Sequence, residues 1–383
     1  MKIALIEPVG GHGGMEIYDY GVSSALAHLG NQVHFYTSDK TTLYSFHCNV
    51  MVKRYFQGIF SPSFILRRVL NLVVSLFKTF VDIISIRFDV IYLHTFTFSI
   101  FEFLLLLFSF FSCRKVIVNV HDPMPLGGSN SKILVYFFSL FFSSSKVLIS
   151  THTSYSSKIL KSIFPNSNIS LMPHSDIDFI HDSKFSKSSA KSKLQVSDSD
   201  LLILLFGQIK PTKGVDTLLL AWPAIVEVIP NAKLLIKGRC WRNDCSKYIS
   251  LIDSLGVSDS VLFDNSYVND SDVPLLFSAS DLVVLPYTRI YSSGVLIRAL
   301  GYGSSVIVSD QPAFTEIITD GINGLVFSTG DPVSLSSAVI SYLSSKSLQT
   351  KISTNSAVFT HSHFSWDVVG VKMNKIFHDF VYS

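Results

Sequence analysis

The stretch from Asp281 to Asn323 constrains this chain most, because strand, turn and helix signals follow one another there in a fixed order. Asp281-Leu-Val-Val-Leu-Pro-Tyr opens it, an apolar run short enough for a buried strand. Pro286 ends that strand, since proline has no N–H to give a ladder. Ser292, Ser293 and Gly294 follow, then Val295-Leu-Ile-Arg-Ala-Leu, which reads as a helix. A serine at a helix start can cap it, and Gly294 lets backbone come close to a ligand. Gly301 and Gly303 end the helix, Ser304-Ser-Val-Ile-Val-Ser309 is the next expected strand, and Glu316 lies beyond it. A strand that passes through a polar glycine turn into a helix N-terminus forms an anion site. Unpaired backbone N–H groups and the helix dipole both favour a phosphate there, and a pyrophosphate is the expected ligand.

A chain of 383 residues is long for one domain, and two of ordinary size are expected. With 48% hydrophobic and 15% charged residues, it can fill two cores and leave apolar surface over. The formal charge of +3 comes without a dense basic stripe, which argues against a nucleic-acid binder. Cys48, Cys113, Cys240 and Cys245 are scattered, with no second pair at zinc-ligand spacing, and read as reduced structural thiols. The N-terminus enters a strand directly with no signal-peptide pattern, so a cytoplasmic protein is expected.

Residues 2–7 read as a strand, Pro8-Val-Gly-Gly-His-Gly-Gly14 as a loop, 15–29 as a helix and 32–37 as a second strand. That order opens a doubly wound α/β domain. The loop is not the dinucleotide fingerprint, and no acidic residue closes the second strand before Ser38-Asp39, so a nicotinamide site is weakly supported. Gly13 and Gly14 more simply let a ligand sit against backbone. Residues 61–80 set Arg67, Arg68 and Lys78 among aliphatic and aromatic residues. The stretch is not the ~20 uncharged residues of a spanning helix. It reads either as a basic amphipathic helix in a membrane interface or as a core helix. Phe96 to Phe111 reads as a core helix. Strands at 89–94 and 115–120 lead into His94 and His121, where a histidine can meet a substrate, although a lone one is more often structural. Further strands are expected at 146–150 and 168–172.

The Ser- and Lys-rich stretch from His181 reads as a solvated linker, residues 181–198. Expected domains are therefore 1–180 and 199–360, with a C-terminal helix in 361–383. The second set of strands falls at 201–206, 232–237, 260–263 and 281–285. In its first loop Lys210 and Lys213 lie between Gly207 and Gly214, and two ammonium groups near a glycine turn suit a diphosphate. The loop is not a Walker P-loop. Asp176-x-Asp178, Asp198-x-Asp200 and Asp270-x-Asp272 match a loose Asp-x-Asp metal pattern, but three hits mark the pattern as cheap. Caps and turns are the expected role, and no metal is expected.

Phe206-Gly-Gln-Ile-Lys-Pro-Thr-Lys-Gly-Val-Asp216, Ala232-Lys-Leu-Leu-Ile-Lys-Gly238, Ser278-Ala-Ser-Asp-Leu-Val-Val-Leu-Pro-Tyr287, Ser293-Gly-Val-Leu296 and Glu316-x-x-x-Asp-Gly-x-Asn-Gly324 together resemble the nucleotide-sugar half of glycosyltransferase family 4, a family of the GT-B fold. Gly10-Gly-His-Gly-Gly-Met-Glu16 resembles that family's first glycine loop, and Val118-Asn-Val-His-Asp122 the segment whose histidine faces the transferred sugar. Phe364-Ser-Trp366 resembles its C-terminal element. The resemblance covers most of the chain except residues 40–88.

It implies two doubly wound Rossmann-like domains facing a cleft, the first for the acceptor and the second for the donor, with the C-terminal helix crossing back to the first. It also implies transfer with retention, without a metal or cofactor, from a nucleotide-diphosphate sugar to a saccharide acceptor, lipid-linked on the evidence of 61–80. Such a protein could sit on the inner face of the cytoplasmic membrane and serve cell-surface polysaccharide synthesis. His121 and Lys213 are the implied catalytic residues. Gly13, Gly14, Gly207, Lys210, Lys213, Ser292, Ser293, Gly294, Val295 and Glu316 are the implied donor-binding ones, although Glu316 is often a structural anchor in the family. The family's paired glutamates are absent: their places fall near Ile290 and at Arg298, as in a Ser-Gly-Val-Leu subset. Arg298 cannot accept hydrogen bonds from a ribose. Two other readings stay open, a non-catalytic relative acting as a scaffold and a GT-B sugar-nucleotide epimerase.

Overall fold

The structure is a computed structural model and describes all residues except 12, 42–45, 60–64, 125–130 and 176–184. His12, the start of the 61–80 stretch, Asp176, Asp178 and the start of the expected linker lie outside the described residues. The chain forms two compact units, Met1–Asp176 with Trp366–Ser383, and Ile177–Ser365.

The first unit runs β1 (Lys2–Glu7), α1 (Gly13–His28), β2 (Gln32–Ser38), β3 (Val50–Phe56), α2 (Ile65–Ile86), β4 (Val90–Thr95), α3 (Ile100–Ser112), β5 (Val116–Val120), α4 (Lys132–Phe142), β6 (Val147–Thr151), α5 (Ser154–Ile163) and β7 (Asn168–Leu171). Its strands are all parallel, in the order β3-β2-β1-β4-β5-β6-β7. Helices cover both faces, so β1, β4, β5 and β6 read as near-continuous apolar runs. One core holds Ile6, Ile91, Val118 and Phe138, and the opposite one holds Leu5, Phe35, Tyr92 and Met373.

The second unit runs α6 (Lys187–Lys193), β8 (Leu201–Phe206), α7 (Val215–Val228), β9 (Ala232–Lys237), α8 (Ser246–Ser254), β10 (Val261–Asp264), α9 (Val273–Ala279), β11 (Leu282–Leu285), α10 (Gly294–Gly301), β12 (Val306–Ser309), α11 (Pro312–Thr315), β13 (Leu325–Phe327), α12 (Pro332–Ser344) and α13 (Lys346–Phe364). Its parallel order is β10-β9-β8-β11-β12-β13. A last helix, α14 (Trp366–Tyr382), belongs to the first unit and packs on α1.

Several local readings differ from the structure. The Ser- and Lys-rich stretch is not all linker: Ser186 caps α6 by accepting from the Ser189 amide, and Ala190 and Lys191 are buried. The Lys187 and Lys191 ammonium groups reach Asp281 at 2.8 and 3.0 Å, so charges that look solvated in sequence fasten a helix to its sheet. α3 begins at Ile100 rather than Phe96, because Ser99 and Glu102 form a capping box. Cys240 and Cys245 are joined in a disulfide rather than held as thiols. Five residues of separation bring their Cα atoms to 5.9 Å, within bridging range.

α1 and α14 meet through two glycines. A Cβ on Gly21 would lie 2.0 Å from the Trp366 ring, and one on Gly370 would lie 2.8 Å from Ala25. Alanine favours a helix over glycine by about 1 kcal/mol, yet forcing an atom into this contact costs ~1–3 kcal/mol. Gly21→Ala should therefore lower the urea midpoint of the first unit, followed by Trp366 fluorescence; an unchanged or raised midpoint would refute the close packing.

Candidate functional site

At the carboxyl end of the second sheet, the loop after β8 is folded onto the loop after β11. Gly207 has φ +108°, and a Cβ there would meet Val295 at 3.4 Å, at the first turn of α10. Gly214 has φ +66°, and a Cβ there would lie 1.7 Å from the Pro286 carbonyl oxygen. The Thr288 amide donates to the Thr212 carbonyl at 2.9 Å. Lys213, in a 3-10 turn at Pro211–Lys213, holds its ammonium 3.7 Å from the centroid of the Tyr287 ring. Burial raises the Tyr287 hydroxyl above its ordinary range, and the Ser293 side chain lies beside it. One buried ring thus spans the lysine loop and the serine turn.

Ser293 is the N-cap of α10, its Oγ accepting from the Leu296 amide at 3.2 Å. The Gly294 and Val295 amides, in the first turn, have no acceptor within the helix. Lys210 is half-buried in the same loop, and no carboxylate among the described residues pairs with it. Ser292 is half-buried beside Ser293. Glu316 is exposed at the C-terminal end of α11. In the segment after it, Asn323 bonds the Thr319 amide and the Ile317 carbonyl, and Asp320 accepts from Val326, so those side chains close their own turn. Arg298 is buried on α10, with its guanidinium 3.5 Å from Asp270.

The first unit carries a second constellation, at the carboxyl ends of β1, β4, β5 and β6 where the strand order reverses beside β1. Such a switch point is where open α/β sheets bind ligands. His94 Nε2 lies 2.9 Å from Asp19 Oδ1, both side chains being buried. His94 Nδ1 lies 3.0 Å from His121 Nε2. Asn119 Nδ2 lies 3.2 Å from both His121 Nε2 and His152 Nε2. Phe96 stacks on His121 with centroids 4.6 Å apart. Burial, with neighbouring histidines, holds His121 well below the usual imidazole range, and burial brings His152 down to about 4. Burial alone would lower His94 too, but Asp19 and Glu7 raise it. Glu7 is pushed up to about 7 by burial and by Asp19. In the neighbouring loop Gly10 and Gly11 have φ +59° and +60°, and a Cβ on either would strike Ser38 or Lys40. Gly13 is the first residue of α1, and Gly14 faces open space.

Residues 186–358 match the family model of glycosyl transferases group 1. The second unit belongs to the group 1 glycosyl transferases. An uncharacterised glycosyltransferase of Methanocaldococcus jannaschii is 30% identical over 182 residues, 47% of this chain and 45% of that protein. The phosphatidyl-myo-inositol mannosyltransferase of Mycolicibacterium smegmatis is 25% identical over 169 residues, 44% of this chain and 42% of that protein. The chain thus spans a little under half the length of these curated relatives. The Anabaena protein HepE, solved in complex with UDP and glucose, superposes with a TM-score of 0.75 at 16% identity, over 99% of this chain and 100% of its own. The fold is GT-B, two doubly wound α/β units with a C-terminal helix.

In the group 1 unit the structure brings Gly207, Lys213, Ser293, Gly294 and Val295 into one wall, with Lys210 and Ser292 in the same two loops. It leaves Glu316 on a separate helix end. In the first unit it joins His94 and His121, both expected from the sequence, through a direct contact. It adds three residues that the sequence reading missed: Asn119, which bonds His121 and His152, His152 itself, and Asp19, which pairs with His94. The available signal was a histidine at or just past the end of three successive strands, β4, β5 and β6.

An unfolded histidine takes up a proton near pH 6.5; folded His152 does so near 4. Between those values the unfolded chain binds the extra proton, so stability is lost as pH falls through the window, on the order of 3 kcal/mol for this group. His152→Asn should flatten the fall in first-unit stability between pH 6.5 and 4, relative to wild type, in urea unfolding. Parallel curves for the two proteins would refute the assignment.

Proposed function

We propose that the chain is a retaining glycosyltransferase that moves a hexose from a nucleotide-diphosphate sugar to a saccharide acceptor. The observation that carries this reading is the joined wall of the second unit. Lys210 and Lys213 neutralise the departing diphosphate, and the Gly294 and Val295 amides hold its oxygens, where charge develops as the bond breaks. The acceptor hydroxyl oxygen bonds to the anomeric carbon while the bond from that carbon to the phosphate oxygen breaks, and the leaving phosphate takes the hydroxyl proton. Attack and departure on the same face retain configuration. No metal takes part, since the lysines and amides carry the charge. HepE, of the same fold, was solved with UDP and glucose, which makes UDP-sugars the first donors to try.

A thermal-shift screen against UDP-, GDP- and ADP-sugars tests donor binding, because a ligand of the folded state alone raises its melting temperature. Lys213→Ala should weaken the stabilising donor ~10- to 100-fold, the worth of a charge-assisted bond. No shift with any donor, or none lost in the variant, would sink the reading. A scaffold without turnover is the second reading, favoured by Arg298, buried and paired to Asp270 where the family carries a glutamate. Hydrolysis of a nucleotide-sugar by the purified protein would exclude it.

We propose further that the acceptor is lipid-linked and that the protein works on the inner face of the cytoplasmic membrane. Leu66–Ile86 is apolar and long enough to cross a membrane. Ser75, Thr79 and Ile83 on it are nevertheless buried in the first unit, so the helix is read as lying along a bilayer. Its outer stripe is Leu66, Leu70, Val73, Phe77 and Ile84, all exposed, with Arg67 and Lys78 beside it. The neighbouring α3 and α4 expose Phe111 and Ile133. The mannosyltransferase of Mycolicibacterium smegmatis is named for a phosphatidyl-inositol acceptor, which fits a lipid-borne one here. Sedimentation with anionic vesicles should fall about tenfold or more in an Arg67→Glu/Lys78→Glu variant; equal partitioning would count against attachment.

A further inference from the structure

The buried constellation of the first unit fixes its own protons. The starting point is a backbone carbonyl, which can only accept. His152 Nδ1 lies 2.9 Å from the Met172 oxygen, so that nitrogen carries a proton. His152, held neutral by its burial, then presents a bare Nε2. Opposite that Nε2, at 3.2 Å, the Asn119 side chain must place its NH2 group. The Asn119 oxygen is turned the other way and accepts from Ser150 Oγ at 3.1 Å. The second amide hydrogen faces His121 Nε2, also at 3.2 Å, so this nitrogen accepts and is bare. His94 Nδ1 lies 3.0 Å from the same bare nitrogen and must donate. His94 Nε2 lies 2.9 Å from Asp19 Oδ1 as an ion-pair contact rather than an aligned hydrogen bond. It carries the second proton, because a bare nitrogen at that distance would face the carboxylate lone pair to lone pair. His94 therefore carries protons on both nitrogens and is paired with the Asp19 carboxylate. Bare on Nε2 and neutral, His121 keeps its proton on Nδ1, which has no partner among the described residues.

We propose that Asp19 and His94 are positioning residues that lock His121 as the Nδ1–H tautomer, so that its one proton is offered to a hydroxyl oxygen of a bound sugar. The sugar as ligand rests on the transferase reading; the proton arrangement does not. One end of the chain of contacts is a fixed acceptor, the Met172 carbonyl. At the other, burial raises the Asp19 carboxyl while His94 lowers it, and the arrangement assigns the proton of that pair to His94. Phe96, stacked on the ring, opposes its rotation. The other titratable groups around the relay are Glu7 beside Asp19 and His94, the bonded pair Tyr18 and Tyr92, and His174, stacked on Tyr18.

Long-range ¹⁵N–¹H spectra of the full-length protein with labelled histidine, assigned with single His→Gln variants, read each tautomer directly. At pH 7 His121 should show a protonated Nδ1 and bare Nε2, and His94 two protonated nitrogens. His121 protonated on Nε2, or His94 neutral, would overturn the proposal. In Asp19→Asn, His94 should fall to a single proton. In Asn119→Asp, His121 Nε2 should gain one, because a carboxylate there accepts where the amide donated. Asp19→Asn should lower kcat ~10- to 100-fold with the donor KM unchanged. An unchanged kcat would remove the positioning role. Tautomers as stated, without transfer from any donor, would instead refute the transferase reading and leave the proton arrangement standing.

Discussion

A peptide-to-peptide contact, the Thr288 amide to the Thr212 carbonyl, ties the two loops that form the wall of the second unit. Around it the backbone is so close that Gly214 lies against the Pro286 carbonyl with no room for a Cβ, and does so at a positive φ. The lysine turn is thereby set on Tyr287, and Tyr287 in turn reaches the serine that caps α10. Cation, ring, cap and helix dipole are positioned by backbone packing rather than by mobile side chains. An anion held there meets groups already in place, which is what stabilising a developing charge requires.

The two units use their sheets' carboxyl ends in different ways. The second exposes donors: ammonium groups and first-turn amides, with α10 aligned behind them. The first buries a polar network in which amide and imidazole groups bond one another and the Asp19 carboxyl is held by charge beside His94. Buried polar groups are costly unless paired, so a network of this size is a commitment to one arrangement. Arg298 shows the same rule in small: a buried guanidinium that meets Asp270 where the related pattern has a carboxylate.

The wall of the second unit was legible in sequence because its parts are local. Each strand end, glycine turn and capping serine is a short pattern, and the order of strands in a doubly wound fold brings successive loops to one end of the sheet. The relay in the first unit was not legible as a whole. Asp19 sits inside a helix, and its partner His94 is far along the chain; nothing but the fold makes them neighbours. His94 alone looked structural, and only the repetition at His121 and His152 hints otherwise. The α6 lysines misled for the opposite reason: a stretch with almost no large apolar residue is held by an ion pair with Asp281, which composition does not reveal. Cys240 and Cys245 looked like ordinary thiols because spacing alone does not report that the loop between them folds back.

The first unit is interrupted: its sheet and most of its helices precede the second unit, yet α14 follows it. Trp366, Met373 and Phe377 bury themselves in the core that Leu5 and Phe35 began. On a translating ribosome, the segment that nests in between has all its residues outside the exit tunnel before that core can close. The early portion must wait with an open apolar flank beside Tyr18 and Leu26 until residues 366–383 emerge, so a chain truncated before them would present that flank to chaperones and proteases.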